Sequence, residues 1–194
     1  MKRLPTPLIV PLTVARSIGR LALAIVFFLL PVAPVYAQLS VDDIHFSPKG
    51  GCNDAIIKEL GKATSNVRVQ AYELTSVRIA KALADVSKRN VKVELILDSR
   101  QHNQVGNQLE LFRAYPDISI KLDGNKHSRS HSKVIIIDGA VVITGSFNFT
   151  DNAENWNVEN LLVIRSKAIA QKYLDQWQDR WEHHAVTLPQ TKQR

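Results

Sequence analysis

The residues best suited to chemistry lie between His131 and Asn148, in HSKVIIIDGAVVITGSFN. One short segment carries an imidazole (His131), an ammonium (Lys133), a carboxylate (Asp138), a hydroxyl (Ser146) and an amide (Asn148) among branched apolar residues. Two strand-forming runs, VIIID and GAVVIT, meet at Asp138-Gly139, a dipeptide that favours a two-residue hairpin turn. In that register Ile137 faces Ala140, Lys133 faces Thr144 and His131 faces Ser146. Side chains alternate along a strand, so His131 and Lys133 share a face about 6.6 Å apart along it. Ser146 and Asn148 keep the same parity, and the four converge at the open end of the hairpin. Gly145 would let a bulky group approach the backbone there.

The set without Asp138 offers a cation, a hydroxyl, an amide and an imidazole but no carboxylate. That suits a phosphate, whose oxygens accept hydrogen bonds and whose charge a lysine meets. The imidazole can serve as nucleophile or as general acid near neutral pH. A histidine in such a role needs an orienting partner on its other ring nitrogen, and Glu159 in the next apolar run is the candidate. Asp138 reads as turn former and hydrogen-bond anchor. Metal binding is the rival: His127 and His131 have the i, i+4 spacing of a zinc pair on a helix. But KHSRSHSK reads as loop running into strand, where the two would stand about 13 Å apart. Arg129 and Lys133 would also repel a cation. A Ser-His-Asp hydrolase is not supported, because no G-x-S-x-G elbow is present.

Helical spacing marks Gly51–Ser65, Ser76–Arg89, Gln101–Tyr115 and Ser166–His184. In the second, Val77, Ile79, Ala80, Leu83, Ala84 and Val86 should face inward. In the last the stripe is Ala168, Ile169, Tyr173, Trp177 and Trp181. Strands are expected at Val67–Leu74, Val91–Asp98, Ile118–Leu122, the hairpin, and Asn157–Ile164. The order predicts an α/β fold, a mixed sheet flanked by helices. The sequence shows no internal repeat and one copy of the polar motif.

Residues 1–37 read as a signal peptide: Lys2, Arg3, Arg16 and Arg20 without an acid, an apolar stretch from Leu21, then Val35-Tyr36-Ala37. A retained anchor is the alternative, but the unbroken run Leu21–Leu30 falls short of the about 20 residues a span needs. The expected domain is 38–194, periplasmic or secreted, with no stable membrane insertion once the leader is cleaved. The chain has 194 residues and a formal charge of +7, and loss of the four leader cations would leave +3. That mild charge is compatible with an anionic substrate. The single cysteine, Cys52, excludes a Cys-rich metal site and an internal disulfide, and reads as a small buried residue.

His131-x-Lys133-x4-Asp138, six residues, then Gly145-Ser146-x-Asn148 resembles the signature of the phospholipase D superfamily. FSPKGG, AYELTS and GSFNFTDNAENWNVENLLVI resemble its small bacterial endonuclease branch. The resemblance implies a phospholipase D-like α/β/α sandwich. It also implies a metal-independent phosphodiesterase without cofactor, in which His131 attacks phosphorus to form a phosphohistidine and a second histidine protonates the leaving oxygen. Lys133 and Asn148 would hold the phosphate oxygens, Ser146 would support them, and Glu159 would orient His131. With one motif copy, the second histidine would come from a homodimer. The expected substrate is nucleic acid: DNA, with RNA left open. A membrane lipid phosphodiesterase and a catalytically dead nucleic-acid binder are the alternatives. The branch differs in one respect: basic, serine-rich KHSRSHS replaces an apolar lead-in, and His127 and Arg129 are either a basic mouth or solvated loop residues.

Overall fold

The computed structural model describes residues 40–103 and 106–188. The expected signal peptide lies outside the described residues. Among them, no helix is long and apolar enough to cross a membrane.

Eight strands form one mixed sheet: β1 (Ser40–Ser47), β2 (Asn66–Ala71), β3 (Lys92–Asp98), β4 (Ile118–Asp123), β5 (Lys133–Ile137), β6 (Val141–Gly145), β7 (Glu159–Arg165) and β8 (Val186–Thr187). Their spatial order is β1-β7-β6-β5-β2-β3-β4-β8. β2, β3 and β4 are parallel, and β5, β6, β7 and β1 follow antiparallel from the β2 side. Helices α1 (Cys52–Gly61), α2 (Val77–Ser87), α3 (Leu109–Arg113), α4 (Asp151–Asn155) and α5 (Lys167–Asp179) complete the fold. The expected α/β class with a mixed, helix-flanked sheet is what the chain adopts.

The run Val134-Ile135-Ile136-Ile137 has no polar alternation because both faces of β5 are covered. Ile135 and Ile137 join the larger core with α1 and α2 residues such as Ile56, Leu60, Ile79 and Leu83. Val134 and Ile136 join a smaller core with Ala170 and Trp177 of α5. The Trp177 indole donates to the Val69 carbonyl at 3.1 Å and stacks on Trp181 at 4.9 Å, which seats α5 across the sheet. Cys52 is fully buried, and burial first, with the Glu154 charge adding, pushes its thiol up to about 11.

Several expectations shift. The helix expected at Gln101–Tyr115 is a 3-10 turn (Ser99–Asn103) and the short α3, because Gly106 takes φ 78° and the Asn107 side chain caps Leu109 N–H at 3.1 Å. The strand expected at Val67–Leu74 is β2 and stops at Ala71, since Thr75 and Ser76 donate to Phe149 O instead of a ladder. In α2, Val77 is exposed. In α5 the buried stripe runs through Ala170, and Ala168 is exposed because the Ser166 hydroxyl caps the helix from Ile169 N–H and sets its phase. The strand expected at Asn157–Ile164 is β7 and begins at Glu159, two residues later than expected, and α5 gives way to a π-helical turn at Arg180–His184. β1, α4 and β8 carry too little apolar periodicity to be read from sequence. β1 is an edge strand with acidic residues and a bulge between Val41 and Asp43.

The hairpin register is one residue off the expected one, so Lys133 is in phase with Gly145, and Ser146 and Asn148 do not share the strand face of His131 and Lys133 as expected. Ile137 pairs with Val141 and Val134 with Thr144, so three residues, Asp138 to Ala140, make the connection. Asp138 (φ 53°) and Gly139 (φ 60°) take the left-handed turn, and Ala140 N–H donates to Ile137 O at 3.0 Å, which leaves Ala140 as an extra residue before the ladder resumes.

Candidate active site

One edge of the sheet collects the ends that matter: the C-termini of β2, β3, β4 and β6 and the N-termini of β5 and β7. Ligands of open α/β sheets bind at such carboxyl ends. His131 precedes β5, Lys133 opens it, Ser146 and Asn148 follow β6, and Glu159 opens β7. The loop after β2 is laced to the loop after β6 by Phe149 N–H to Glu73 O (3.1 Å) and Ser76 N–H to Phe149 O (2.9 Å).

His131 and Lys133 are brought into contact. The Lys133 ammonium lies 2.9 Å from His131 Nδ1 and donates to the His131 carbonyl at 2.8 Å. The His131 ring is exposed while Lys133 is only 8 % exposed. Burial holds the Lys133 pKa below the ordinary lysine value, against the charges of Glu73 and Glu159, which act to raise it. A desolvated cation at the end of a strand is costly unless an anion joins it.

Asn148 is half-buried, and its Oδ1 has no hydrogen-bond partner within the described chain. Such an unpaired acceptor ordinarily costs about 1–3 kcal/mol, and the group of this amide that can meet a phosphate oxygen is the Nδ2 donor, not the Oδ1. Ser146 is exposed, and its hydroxyl accepts from Asn160 N–H (3.1 Å) and Asn160 Nδ2 (3.3 Å), leaving its own proton free to donate.

Two expected roles find different partners. Gly145 makes room not for a ligand but for β7: a Cβ there would stand 2.2 Å from Asn160 O, at φ 156°. Glu159 is at the site, close enough to act on Lys133 electrostatically, yet its carboxylate accepts from Asn157 Nδ2 at 3.2 Å and makes no hydrogen bond to His131. The ring is held instead by Lys133 and by Tyr72, whose ring centroid lies 4.3 Å away at 44°. Lys133 Nζ sits 5.0 Å from the Tyr72 centroid. From sequence, Tyr72 falls inside the strand expected at Val67–Leu74, and only the end of β2 at Ala71 brings it out at this edge.

Asp138 is the anchor the sequence implied, and its donors were not legible. Its carboxylate accepts from Thr64 N–H (2.9 Å) and hydroxyl (2.8 Å), Ser65 N–H (2.8 Å) and hydroxyl (2.8 Å), and Asn66 N–H (3.0 Å). Burial alone would raise its pKa, but the hydrogen bonds from Asn66, Ser65 and Thr64 hold it well below the usual carboxylate range.

The lead-in to His131 is a loop rather than a helix, so His127 and His131 do not share a helical face. That loop is pinned by two buried carboxylates at the ends of neighbouring strands. Asp98 Oδ2 accepts from Ser130 N–H (2.9 Å), and Asp123 pairs with Arg180 (2.5 Å) while accepting from Gly124 N–H (2.6 Å). Arg129 is exposed and donates to the Tyr72 hydroxyl at 2.8 Å.

Comparison with known proteins agrees with this geometry. The family described as cardiolipin synthase, PLD-like domain, matches residues 56–181. A phospholipase D of Rickettsia conorii is 40 % identical over 137 residues, 70 % of this chain and 66 % of that protein. The chain thus spans about two thirds of that relative's length. Among solved structures, the phospholipase D family member Nuc from Salmonella typhimurium superposes with a TM-score of 0.70 at 33 % identity, covering 76 % of this chain and 97 % of Nuc. NucT from Helicobacter pylori gives 0.67 at 25 % identity, covering 75 % of this chain and all (100 %) of NucT. With the motif, the fold and these likenesses in agreement, this chain belongs to the phospholipase D superfamily of phosphodiesterases.

Proposed function

We propose that this protein is a metal-independent endonuclease that cleaves DNA, with RNA as a further substrate, through a phosphohistidine on His131. The observation that carries the reading is the desolvated Lys133 ammonium held 2.9 Å from the His131 imidazole, at the sheet edge where Ser146 and Asn148 follow β6, with no carboxylate hydrogen-bonded to either among the described residues. A phosphodiester supplies the charge that Lys133 lacks and draws the ammonium off the imidazole. His131 then attacks phosphorus, forming a P–N bond as the P–O bond to the leaving strand breaks. Lys133, Asn148 and Ser146 meet the charge on the non-bridging oxygens. Apo hydrogen bonds commonly rearrange in the substrate complex, and in this proposal Glu159, which opens β7 on the same edge, then takes the imidazole N–H.

The leaving oxygen needs a proton from the face opposite His131. In this proposal the partner subunit's His131 supplies it, then activates the water that releases the product. The exposure of three large apolar side chains near Glu159 in the chain or the β1–β7 ladder, Phe46 (64 %), Trp156 (77 %) and Val158 (88 %), supports a homodimer in which a second copy would cover them. The structural neighbours Nuc and NucT support the nuclease reading. The relatives named phospholipase D and the family described by cardiolipin synthase favour a second reading, hydrolysis of a membrane phospholipid. Residues 1–37 are proposed to export the protein and to be removed, which N-terminal sequencing of the mature protein would check.

The test is cleavage of supercoiled plasmid by the purified protein in excess EDTA, beside His131→Ala and beside phospholipid vesicles assayed for headgroup release. Cleavage that survives EDTA and disappears in His131→Ala is the expected result. Cleavage lost in EDTA would overturn the metal-independent mechanism. Headgroup release without plasmid cleavage would move the substrate to lipid.

A further inference from the structure

We infer that Tyr72 is the positioning residue for the His131–Lys133 pair, a ring that sets the orientation of the reacting imidazole and is itself fixed by Arg129. The inference rests on the phosphodiesterase reading of this site and holds whether the diester belongs to a nucleic acid or a lipid.

The geometry has three parts. First, the backbone of Tyr72 is held on both sides: its N–H donates to Ser132 O at 2.9 Å, and its carbonyl accepts from Gln101 Nε2 at 3.0 Å. Ser132 lies between the two reacting residues, so the platform is attached to the segment it supports. Second, the aromatic ring meets both functional groups at once. Its centroid is 4.3 Å from that of the His131 ring and 5.0 Å from Lys133 Nζ. A π face is one of the few surfaces that accepts a desolvated ammonium without neutralising it. A carboxylate there would bind Lys133 permanently and compete with the substrate's phosphate. Third, the hydroxyl accepts from Arg129 Nη1 at 2.8 Å, which restrains rotation of the ring from its far side.

An alternative holder for His131 is not formed in the free protein, because Glu159 is engaged with Asn157. The imidazole is exposed and follows a loop rather than lying within a strand. Apart from the Tyr72 ring contact, the imidazole is held among the described residues only by its hydrogen bond to the lysine that must leave it when substrate binds. Misplacement of a reacting group by about 1 Å can cost about 100-fold in rate. A ring that fixes the imidazole therefore acts on kcat more than on KM.

The experiment compares Tyr72→Phe and Tyr72→Leu in the full protein, with bis(p-nitrophenyl) phosphate as a small diester and plasmid as a long one. Thermal unfolding serves as a folding control. Tyr72→Phe keeps the ring and loses the Arg129 tether, and kcat on the small diester should fall by about 3-fold, less than in the variant that loses the ring. Tyr72→Leu loses the ring, and kcat should fall by about 10- to 100-fold with a smaller change in KM. In NMR spectra the His131 imidazole protons should show an upfield ring-current shift in wild type and Tyr72→Phe that is absent in Tyr72→Leu. Undiminished kcat in folded Tyr72→Leu, or equal losses in both variants, would overturn the inference, as would imidazole signals that do not respond to removal of the ring. If wild type cleaves the small diester but not plasmid, the nuclease reading fails and the Tyr72 comparison still stands. If it cleaves neither, the NMR comparison alone decides whether Tyr72 holds His131.

Discussion

The two ends of the β5–β6 hairpin are opposites. At the closed end, the Asp138 carboxylate takes five hydrogen bonds from Thr64, Ser65 and Asn66 and ties the turn to the start of β2. At the open end, a buried ammonium leans on a neutral ring and an imidazole and has no carboxylate hydrogen-bonded to it among the described residues. Both ends are polar, and both belong to the same motif. One end is satisfied by the fold, and the other is left for a ligand to satisfy. Polar groups that the chain completes itself add stability, whereas groups it leaves incomplete cost stability and mark function.

The widest separation between the ends should come from Lys133→Met. It removes the cation that meets the phosphate, and kcat/KM should fall by about 1,000-fold. It also removes a desolvated charge, so the unfolding free energy should change by less than about 1 kcal/mol. Steady-state kinetics and urea unfolding on the same preparation check both halves. A large loss of stability would show that Lys133 holds the fold together and would break the contrast.

Asp138→Asn should do the reverse. It keeps a side chain that tolerates the left-handed turn but replaces an acceptor oxygen with a donor facing donors. The expected loss is about 2–3 kcal/mol of stability, with activity at low temperature within about 3-fold of wild type. The sign with pH follows from the lowered carboxyl. Its contribution is fully present above the ordinary aspartate value of 3.8 and fades as pH falls below it toward the native value. Urea midpoints from pH 7 down to 3 should therefore converge between wild type and Asp138→Asn.

A smaller effect is expected at alkaline pH. Since burial lowers the Lys133 pKa, its charge should be lost at a pH below the ordinary lysine value of 10.5. KM for a phosphodiester should rise on that alkaline limb with a midpoint below 10.5, and Lys133→Arg should move the limb upward. The smallest change should be Ser146→Ala. Its hydroxyl is already engaged by Asn160, so rate should fall less than about 10-fold and stability by about 1 kcal/mol. Equal damage from Ser146→Ala and Lys133→Met would erase the distinction between a supporting hydroxyl and the principal phosphate ligand.

By itself, the sequence determined the fold class, the motif and its chemistry. Branched residues along β5 announce a strand buried on both faces, and Asp138-Gly139 announces a turn. His131, Lys133, Ser146 and Asn148 announce phosphate chemistry by residue type and spacing. These are local properties, carried by a residue and its near neighbours in the chain. Only the tertiary structure decided what each group meets. The extra residue at Ala140 shifts the ladder by one, because both Asp138 and Gly139 take positive φ and the pairing resumes at Val141. Gly145 is glycine because Asn160 of β7 approaches it, and Asp138 is satisfied by Thr64 to Asn66, over seventy residues away in the chain. Tyr72 reaches His131 because β2 and β5 are antiparallel neighbours, so β2 ends at the edge where β5 begins. Contacts of that kind depend on strand order and register, and those emerge only when distant segments compete to bury the same faces of one sheet.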